Sequence, residues 1–179
     1  MKVMDKRELR RSVRERLSVM PDDMKYAASQ GIVQALRNHI LVSGARVVAL
    51  FSPLRDEPQI ASLVKELSLT HLVALPRVEG DVMQFYCYSC DAMQSGAFGI
   101  EEPVGTSIVN PWEIDLMVVP GVAFTFDGKR MGRGKGYYDK YMSNEGFRAY
   151  KVGVCYAAQI VDELPQEPHD IKMDCVVAL

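Results

Sequence analysis

Long apolar runs are absent from the sequence, and so is a strong excess of either charge. No stretch approaches the roughly 18–20 apolar residues that a membrane-spanning helix requires, so we expect no membrane association. Lys and Arg number 21 against 23 Asp and Glu, which gives a formal net charge of −2. Because nucleic-acid-binding domains usually carry a basic excess, we also expect no nucleic-acid partner.

Cysteine and histidine are scarce, with four Cys and three His. The first 17 residues contain no apolar core of a secretory signal, so we expect a cytoplasmic protein with reduced thiols. Cys87 and Cys90 have CxxC spacing, but a structural zinc site needs four ligands, and neither a second CxxC nor a closely spaced His pair is present. We interpret these two cysteines as thiols near the end of a strand.

Segments of helical periodicity alternate with short apolar runs. Asp5 is expected to cap a first helix that Pro21 ends, and further helices are predicted at residues 23–40, 59–67 and 136–142. Buried strands are predicted at residues 46–51, 71–75 (closed by Pro76) and 114–119, further strands at 151–156 and 175–179, and an exposed or edge strand at 82–88. This alternation predicts an α/β fold, a single domain over residues 1–179 built as a three-layer α/β/α sandwich around a mainly parallel sheet.

Ligands of such folds bind where loops leave the carboxyl ends of the strands, which here are residues 52–57, 76–82 and 120–135. The last loop and the helix after it read PGVAFTFDGKRMGRGKGYYDKY and combine three glycines with four cations: Gly132, Gly134 and Gly136, with Lys129, Arg130, Arg133 and Lys135. Glycines allow positive φ angles that turn successive N–H groups toward one point, beside a helix N-terminus. The pattern predicts a phosphate site; the alternative is a flexible turn with solvated charges.

This glycine-rich loop matches neither of two common phosphate-binding motifs. A P-loop requires a glycine five residues before its Gly-Lys pair and a Ser or Thr after it, but Lys129 and Gly136 occupy these positions. The dinucleotide motif GxGxxG requires a glycine at position 137, which is Tyr137. The loop therefore predicts phosphate binding without identifying the ligand.

Asp139 follows the glycines closely and is open to two interpretations. A carboxylate beside a polyphosphate site commonly holds Mg²⁺, directly or through water. A surface ion pair with Arg133 or Lys135 is an equally good explanation of its position.

The N-terminal helix is basic. Residues 2–16 contain seven basic and three acidic residues, a local charge of +4, and Lys6, Arg10 and Arg14 recur at four-residue intervals on one face. Such a face is usually only solvated. The alternative hypothesis is that it supplies cations to the same phosphates.

Residues 114–141 closely resemble the signature of the 5-formyltetrahydrofolate cyclo-ligase family, also called methenyltetrahydrofolate synthetases. The string GRGKGYYD behind PGVAF is long and unusual. Further elements that resemble the family occur in the expected order along nearly the whole chain: KRELR at residues 6–10, Asp56-Glu57, LPR at 75–77, GIEEP at 99–103 and DIKMD at 170–174.

The resemblance implies an enzyme that uses ATP and Mg²⁺ to convert 5-formyltetrahydrofolate into 5,10-methenyltetrahydrofolate, with release of ADP and phosphate. The γ-phosphoryl group would pass to the formyl oxygen, and the folate N10 would then attack the activated carbon. Phosphoryl transfer needs positioned cations rather than a protein nucleophile, which agrees with the lack of a GxSxG or Cys-His signature. The alternative is a related α/β protein that binds a phosphorylated sugar or coenzyme A. We expect a monomer or a weak homodimer.

The resemblance also implies roles for individual residues. ATP would be held by Lys6, Arg10, Arg130, Gly132, Arg133, Gly134, Lys135, Gly136, Tyr137 and Tyr138. The folate would contact Glu57, Arg10, Arg133, Tyr137 and Tyr138. Arg133 and Lys135 would act in catalysis, and Asp139 and Asp170 would bind Mg²⁺.

Overall fold

The computed structural model describes residues 5–89, 91–96, 99–105 and 107–179, so Cys90, the second cysteine of the CxxC pair, lies outside the described residues. The helices are α1 (Lys6–Ser18), α2 (Asp22–Ser43), α3 (Ala61–Leu67) and α4 (Tyr137–Met142). The strands are β1 (Val47–Ala49), β2 (Leu72–Glu79), β3 (Val82–Cys87), β4 (Met93–Ser95), β5 (Glu101–Pro103), β6 (Ile108–Val109), β7 (Leu116–Pro120), β8 (Ala123–Phe124), β9 (Arg130–Met131), β10 (Tyr150–Cys155) and β11 (Cys175–Ala178). Among the described helices, none combines the length and the apolar character needed to cross a membrane.

Seven strands form the central sheet in the order β11-β10-β7-β1-β2-β3-β6. The strands from β11 to β2 pair in parallel, whereas β3 and β6 extend the sheet by antiparallel pairing. The predicted α/β class with a mainly parallel sheet is confirmed. The alternating strand β3 is nearly an edge strand, since β6 pairs with it only at Phe85 and Tyr86.

Apolar side chains cover both faces of the sheet. On one face, α2 and α3 pack through residues such as Leu36 and Leu63 against Val118 of β7. On the other face, α4 packs through Tyr141 against Phe85 of β3. Helices on both faces of one sheet confirm the predicted three-layer architecture.

The first helix lies against the hairpin of β8 and β9. The Asp5 carboxylate accepts the backbone N–H of Glu8, and the Glu8 carboxylate accepts the N–H of Asp5 in return, which confirms the predicted cap. Leu9, Val13 and Leu17 are buried in a cluster with residues of β8 and β9. This packing holds α1 beside the glycine-rich loop that follows β9.

Two predicted boundaries are wrong. Strand β2 does not end at Pro76 but continues to Glu79. The last residue of β1, Ala49, pairs with Ala74, so β1 has already ended beside Pro76. The proline has no N–H to donate, but no residue of β1 needs a donor at this position. Helix α2 continues to Ser43, three residues past its predicted end at residue 40, and Gly44 then closes it in the left-handed conformation at φ 66°.

The turn between β8 and β9 is tied to the segment that precedes β11. The backbone N–H of Met173 donates to the carbonyl oxygen of Gly128 at 2.8 Å. Gly128 has a φ of 90°, and a Cβ atom there would clash with the carbonyl oxygen of Met173. The tie places the segment that carries Asp170 next to the glycine-rich loop, so Gly128 supports the site described below.

We predict that Gly128→Ala lowers the free energy of unfolding by about 2–5 kcal/mol, because backbone strain at positive φ adds to a backbone clash. Gly44→Ala is the matched control: Gly44 also has a positive φ, but no atom lies within 4 Å of an added Cβ, so strain alone should cost about 1–2 kcal/mol. Urea unfolding measures both losses. Equal losses in the two variants would contradict a role for the contact with Met173.

Candidate active site

Two clefts meet at the glycine-rich loop, residues 132–136. The first, here called the inner cleft, has a volume of about 530 Å³ and is lined by residues 54–57, 120–121 and 130–139, apart from Met131 and Gly134. It lies where β1 and β7, which are parallel neighbours, reach their carboxyl ends. This is the position in the fold at which the loops predicted to bind ligand converge.

The second, here called the outer cleft, has a volume of about 400 Å³. Its walls come from the start of α1, from the glycine-rich loop and from residues 167–170. Gly132, Gly136 and Asp139 line both clefts. A ligand in one cleft can therefore contact a ligand in the other across this loop.

An ion pair stands at the wall of the inner cleft. Arg133 donates from Nε and Nη2 to Oε1 of Glu57, at 3.2 and 3.1 Å, and from Nη2 to Oδ1 of Asp56 at 2.6 Å. Glu57 is only 5% exposed. Burial raises the pKa of the Glu57 carboxyl, against the opposing effects of the N–H of Leu54 and the Arg133 charge. Three Arg133 donors are thus in use, and Nη1 has no partner among the described residues.

A buried cation, Arg130, lies beneath the glycine-rich loop. Arg130 donates from Nη2 to Oδ2 of Asp139 at 2.8 Å and from Nη1 to the carbonyl oxygen of Pro120 at 3.1 Å. Its guanidinium carbon lies 5.5 Å from the centre of the Tyr138 ring. Burial raises the pKa of the Tyr138 hydroxyl. Arg130 therefore fixes the base of the inner cleft through one ionic and one neutral contact.

Both carboxylate oxygens of Asp139 accept hydrogen bonds from the protein. Oδ2 accepts from Arg130, and Oδ1 accepts from the backbone N–H of Ile171 at 3.1 Å. The surface ion pair with Arg133 or Lys135, left open by the sequence, does not form, because Asp139 is 9% exposed and points toward β9. Asp139 joins α4 to the segment that precedes β11.

The three glycines of the loop serve two different needs. Gly134 and Gly136 have φ angles of 108° and 69°, as predicted, whereas Gly132 does not lie in that region. A Cβ atom at Gly132 would lie 3.1 Å from Nη1 of Arg130, so the lack of a side chain there allows close packing. Helix α4 begins directly after Gly136, close to its predicted start, and is six residues long.

Two predicted cations reach the outer cleft from α1. Nζ of Lys6 lies 2.7 Å from Oδ2 of Asp170 and 3.1 Å from Oε2 of Glu167. Burial acts to raise the pKa of the Asp170 carboxyl. The hydrogen bonds from Lys6 and from the backbone N–H of Glu167 outweigh this effect and hold that pKa below its ordinary value. Arg10 donates from Nε to the carbonyl oxygen of Gly132 at 2.9 Å. The hypothesis that this helix contributes cations to the site is thus supported for two of its residues.

Of the remaining predicted residues, some line the inner cleft and one lies outside both clefts. Arg14 is exposed and lines neither cleft, so the predicted basic face is not used as a whole. Lys135 is exposed and lines the inner cleft. Tyr137 lines the inner cleft as well and donates from its hydroxyl to the carbonyl oxygen of Gly80 at 3.3 Å.

Sequence reasoning missed the contribution of Glu167 and His169. Their ligand atoms and that of Asp170 all lie within 4.8 Å of one another, so this group has donors that could hold a metal ion. The backbone N–H of Glu167 also donates to Oδ2 of Asp170 at 2.8 Å. The signal in the sequence was the string EPHD, which puts three potential ligand side chains within four residues.

The chain matches the model of the 5-formyltetrahydrofolate cyclo-ligase family over residues 2–178. A Mycolicibacterium smegmatis protein named 5-formyltetrahydrofolate cyclo-ligase is 31% identical over 167 residues, which cover 84% of each chain. A Saccharomyces cerevisiae protein of the same name is 30% identical, and the alignment covers 96% of this chain and 94% of the yeast one.

Two solved structures are similar over nearly the whole chain. The NMR structure of Aquifex aeolicus 5,10-methenyltetrahydrofolate synthetase has a TM-score of 0.86 and 34% identity, and covers 98% of this chain and 90% of its own. A 5,10-methenyltetrahydrofolate synthetase from Mycoplasma pneumoniae has a TM-score of 0.78 and 26% identity, and covers 97% and 98%. The resemblance seen in the sequence is confirmed: the chain belongs to the 5-formyltetrahydrofolate cyclo-ligase family and is a ligase.

Proposed function

We propose that this protein uses Mg-ATP to convert 5-formyltetrahydrofolate into 5,10-methenyltetrahydrofolate, with release of ADP and phosphate. The observation that carries the proposal is the meeting of two clefts of different character at one glycine-rich loop. The outer cleft has cations from α1, whereas the inner cleft has tyrosines and a buried carboxylate. Family membership supports the choice of a reduced folate as the second substrate.

The outer cleft suits the polyphosphate of ATP. Lys6 and Arg10 stand on one side of it, and the glycines at positive φ, Gly134 and Gly136, stand on the other. Charged donors and backbone N–H groups are the usual partners of phosphate oxygens. Lys135, which is exposed in the inner cleft beside Gly136, would then reach the γ-phosphate.

Asp139 and Asp170 fit a magnesium ion bound together with ATP. Both line the outer cleft and offer oxygen donors, and a carboxylate oxygen can accept more than one contact. Mg²⁺ prefers one or two protein carboxylates together with phosphate oxygens. When bound, the ion would neutralise charge that develops on the transferred phosphoryl group.

The inner cleft suits the folate. The pterin ring carries N–H donors, and the buried Glu57 carboxylate is an acceptor held at the wall of the cleft. Tyr137 and Tyr138 offer aromatic surface to the ring. Nη1 of Arg133, which has no described protein partner, is available to a carbonyl or phosphoryl oxygen at the junction.

The chemistry then requires positioned charges only. The formyl oxygen attacks the γ-phosphorus, the bond from phosphorus to the ADP oxygen breaks, and the formyl carbon becomes an electrophile. N10 forms a bond to that carbon and loses its proton to solvent, and the carbon–oxygen bond breaks as phosphate leaves. Arg133 and Lys135 would stabilise the negative charge that develops on the phosphoryl oxygens.

We predict that the purified protein, given Mg-ATP and 5-formyltetrahydrofolate, builds up the near-ultraviolet absorbance of the methenyl product. One ADP should form for each product molecule, because each ring closure consumes one phosphoryl transfer. Omission of ATP is the control. Absence of product at ample enzyme concentration would overturn the proposed function.

Lys135→Ala is expected to raise the KM for ATP about tenfold or more, because a charged partner of the phosphates is lost. The free energy of unfolding should change by less than about 0.5 kcal/mol, since the side chain is exposed. Lys65→Ala on α3, which removes another exposed lysine far from the clefts, should leave the KM unchanged. A loss of stability that parallels the loss of ATP binding would indicate a structural role instead.

Glu57→Gln is expected to raise the KM for folate about 10–100-fold, the effect of losing a charged acceptor, with little change in the KM for ATP.

The same variant should also change how the free energy of unfolding depends on pH. Because burial raises the pKa of Glu57, the folded chain keeps this proton where the unfolded chain releases it. Its contribution to the free energy of unfolding therefore falls as the pH rises above its ordinary pKa of about 4.3.

The glutamine variant lacks this titration. Unfolding by urea at about pH 4 and pH 8 should show a smaller loss with rising pH in Glu57→Gln than in Glu145→Gln, which alters an exposed carboxyl. The same pH dependence in both variants would contradict the raised pKa of Glu57. An unchanged folate KM would remove Glu57 from the folate site.

A further inference from the structure

A chain of buried hydroxyl groups lies behind the turn that carries Glu57. Tyr156 donates from its hydroxyl to the carbonyl oxygen of Glu57 at 3.0 Å. The hydroxyl of Ser29 lies 3.2 Å from that of Tyr156 and accepts the backbone N–H of Gln59 at 3.0 Å. Ser29 and Tyr156 are each 1% exposed. We call these two side chains the hydroxyl relay.

The number of hydrogens fixes the direction of every bond in the relay. A carbonyl oxygen only accepts, so the single proton of the Tyr156 hydroxyl is used on Glu57. Ser29 must then donate its own proton to the Tyr156 oxygen and accept from Gln59. Each proton is used once, and no alternative arrangement satisfies the same atoms. The relay is therefore a specific clamp on the backbone at Glu57 and Gln59.

The same turn is closed by its own residues. Gln59 donates from Nε2 to the carbonyl oxygens of Leu54 and Glu57, at 2.8 and 2.7 Å. The backbone N–H of Leu54 donates to Oε2 of Glu57 at 3.0 Å. Oε1 is thereby directed toward Arg133 and the inner cleft. The orientation of the carboxylate follows from the turn, and the relay holds the turn.

The relay comes from elements that take no part in the clefts. Ser29 belongs to α2 and Tyr156 follows β10, and neither residue lines the inner cleft. Gln159 anchors Tyr156 by accepting its backbone N–H at 2.9 Å and by donating to the carbonyl oxygen of Gly121 at 2.8 Å. Gly121 itself lines the inner cleft. Tyr156 is therefore bonded to two parts of the cleft wall, directly to Glu57 and through Gln159 to Gly121.

We propose that Tyr156 and Ser29 are positioning residues for folate: without touching either ligand, they hold the Glu57 carboxylate in the orientation that binds the pterin. This inference rests on the proposed function, in which the inner cleft takes the folate and the outer cleft takes ATP. It deepens that function by making folate affinity depend on two hydroxyl groups outside the site. ATP affinity should not depend on these hydroxyl groups, because neither forms a hydrogen bond with α1 or the glycine-rich loop among the described residues. The Tyr156 ring shares an apolar cluster with Leu9 and Val13 of α1, and a change to Phe keeps that ring in place.

The test removes single hydroxyl groups. Tyr156→Phe should raise the KM for folate about tenfold, the effect of one lost buried hydrogen bond to the turn, and the KM for ATP should stay within about twofold. Ser29→Ala should act in the same direction, since it leaves the N–H of Gln59 unpaired. The double variant should be less impaired than the product of the two single effects, because both act through one chain of bonds.

Tyr141→Phe is the matched control. Tyr141 is also buried and also donates from its hydroxyl to a backbone carbonyl, that of Val109 at 3.3 Å, but it does not line either cleft. This variant should lose stability without any change in the KM for folate. If the folate KM rises equally in Tyr141→Phe and Tyr156→Phe, the effect is one of general destabilisation and the inference is wrong.

Failure of the inference differs from failure of the proposed function. If the wild-type protein forms no methenyl product, the proposed function fails before any variant is made. If the wild type is active and both Tyr156→Phe and Ser29→Ala keep its folate KM, only the positioning role fails. Should Tyr156→Phe not fold, Ser29→Ala decides the question alone, with the direct binding constant for 5-formyltetrahydrofolate as a second measurement.

Discussion

The ion pair between Arg133 and Glu57 joins the turn after β1, which lines the inner cleft, to the glycine-rich loop, which lines both clefts. Glu57 stands in the turn after β1 and Arg133 in the loop after β9, 76 residues later. Parallel pairing of β1 with β7 brings these segments to the same edge of the sheet. Because Glu57 is buried, its charge is costly unless Arg133 or a ligand compensates it. The pair thus links the position of the glycine-rich loop to the site proposed for folate.

A second ion pair, between Arg130 and Asp139, ties the same loop to the opposite wall. Oδ1 of Asp139 also accepts from Ile171, so α4, β9 and the segment before β11 share one buried carboxylate. Breaking such a buried pair is costly, because removal of one partner leaves the other charge buried and uncompensated. The glycine-rich loop is therefore supported from two sides by charge, and the hydroxyl relay supports the turn that faces it.

Much of this arrangement could be predicted from the sequence, though unevenly. The cap at Asp5, the apolar stripe of α1 and the location of the glycine-rich loop were predicted correctly, since each depends on residues close together in the chain. The end of β2 was wrong because a proline is tolerated once the neighbouring strand has ended. The partner of Asp139 was not predicted, because Arg133 and Lys135 are its candidates by spacing along the chain, whereas Arg130 lies on β9 and reaches Asp139 only in the folded structure.

What the sequence by itself determined is the kind of fold, the family and the chemistry of the loop, because periodicity, capping and glycine spacing act between near neighbours. What only the tertiary structure decided is which distant groups meet. Ser29 and Tyr156 are 127 residues apart, and no local pattern marks either one as a partner of Glu57. Their contact follows from the strand order and from the packing of α2 on the sheet. Hydrogen bonds have a short range, so these partners could be identified only after the sheet was assembled.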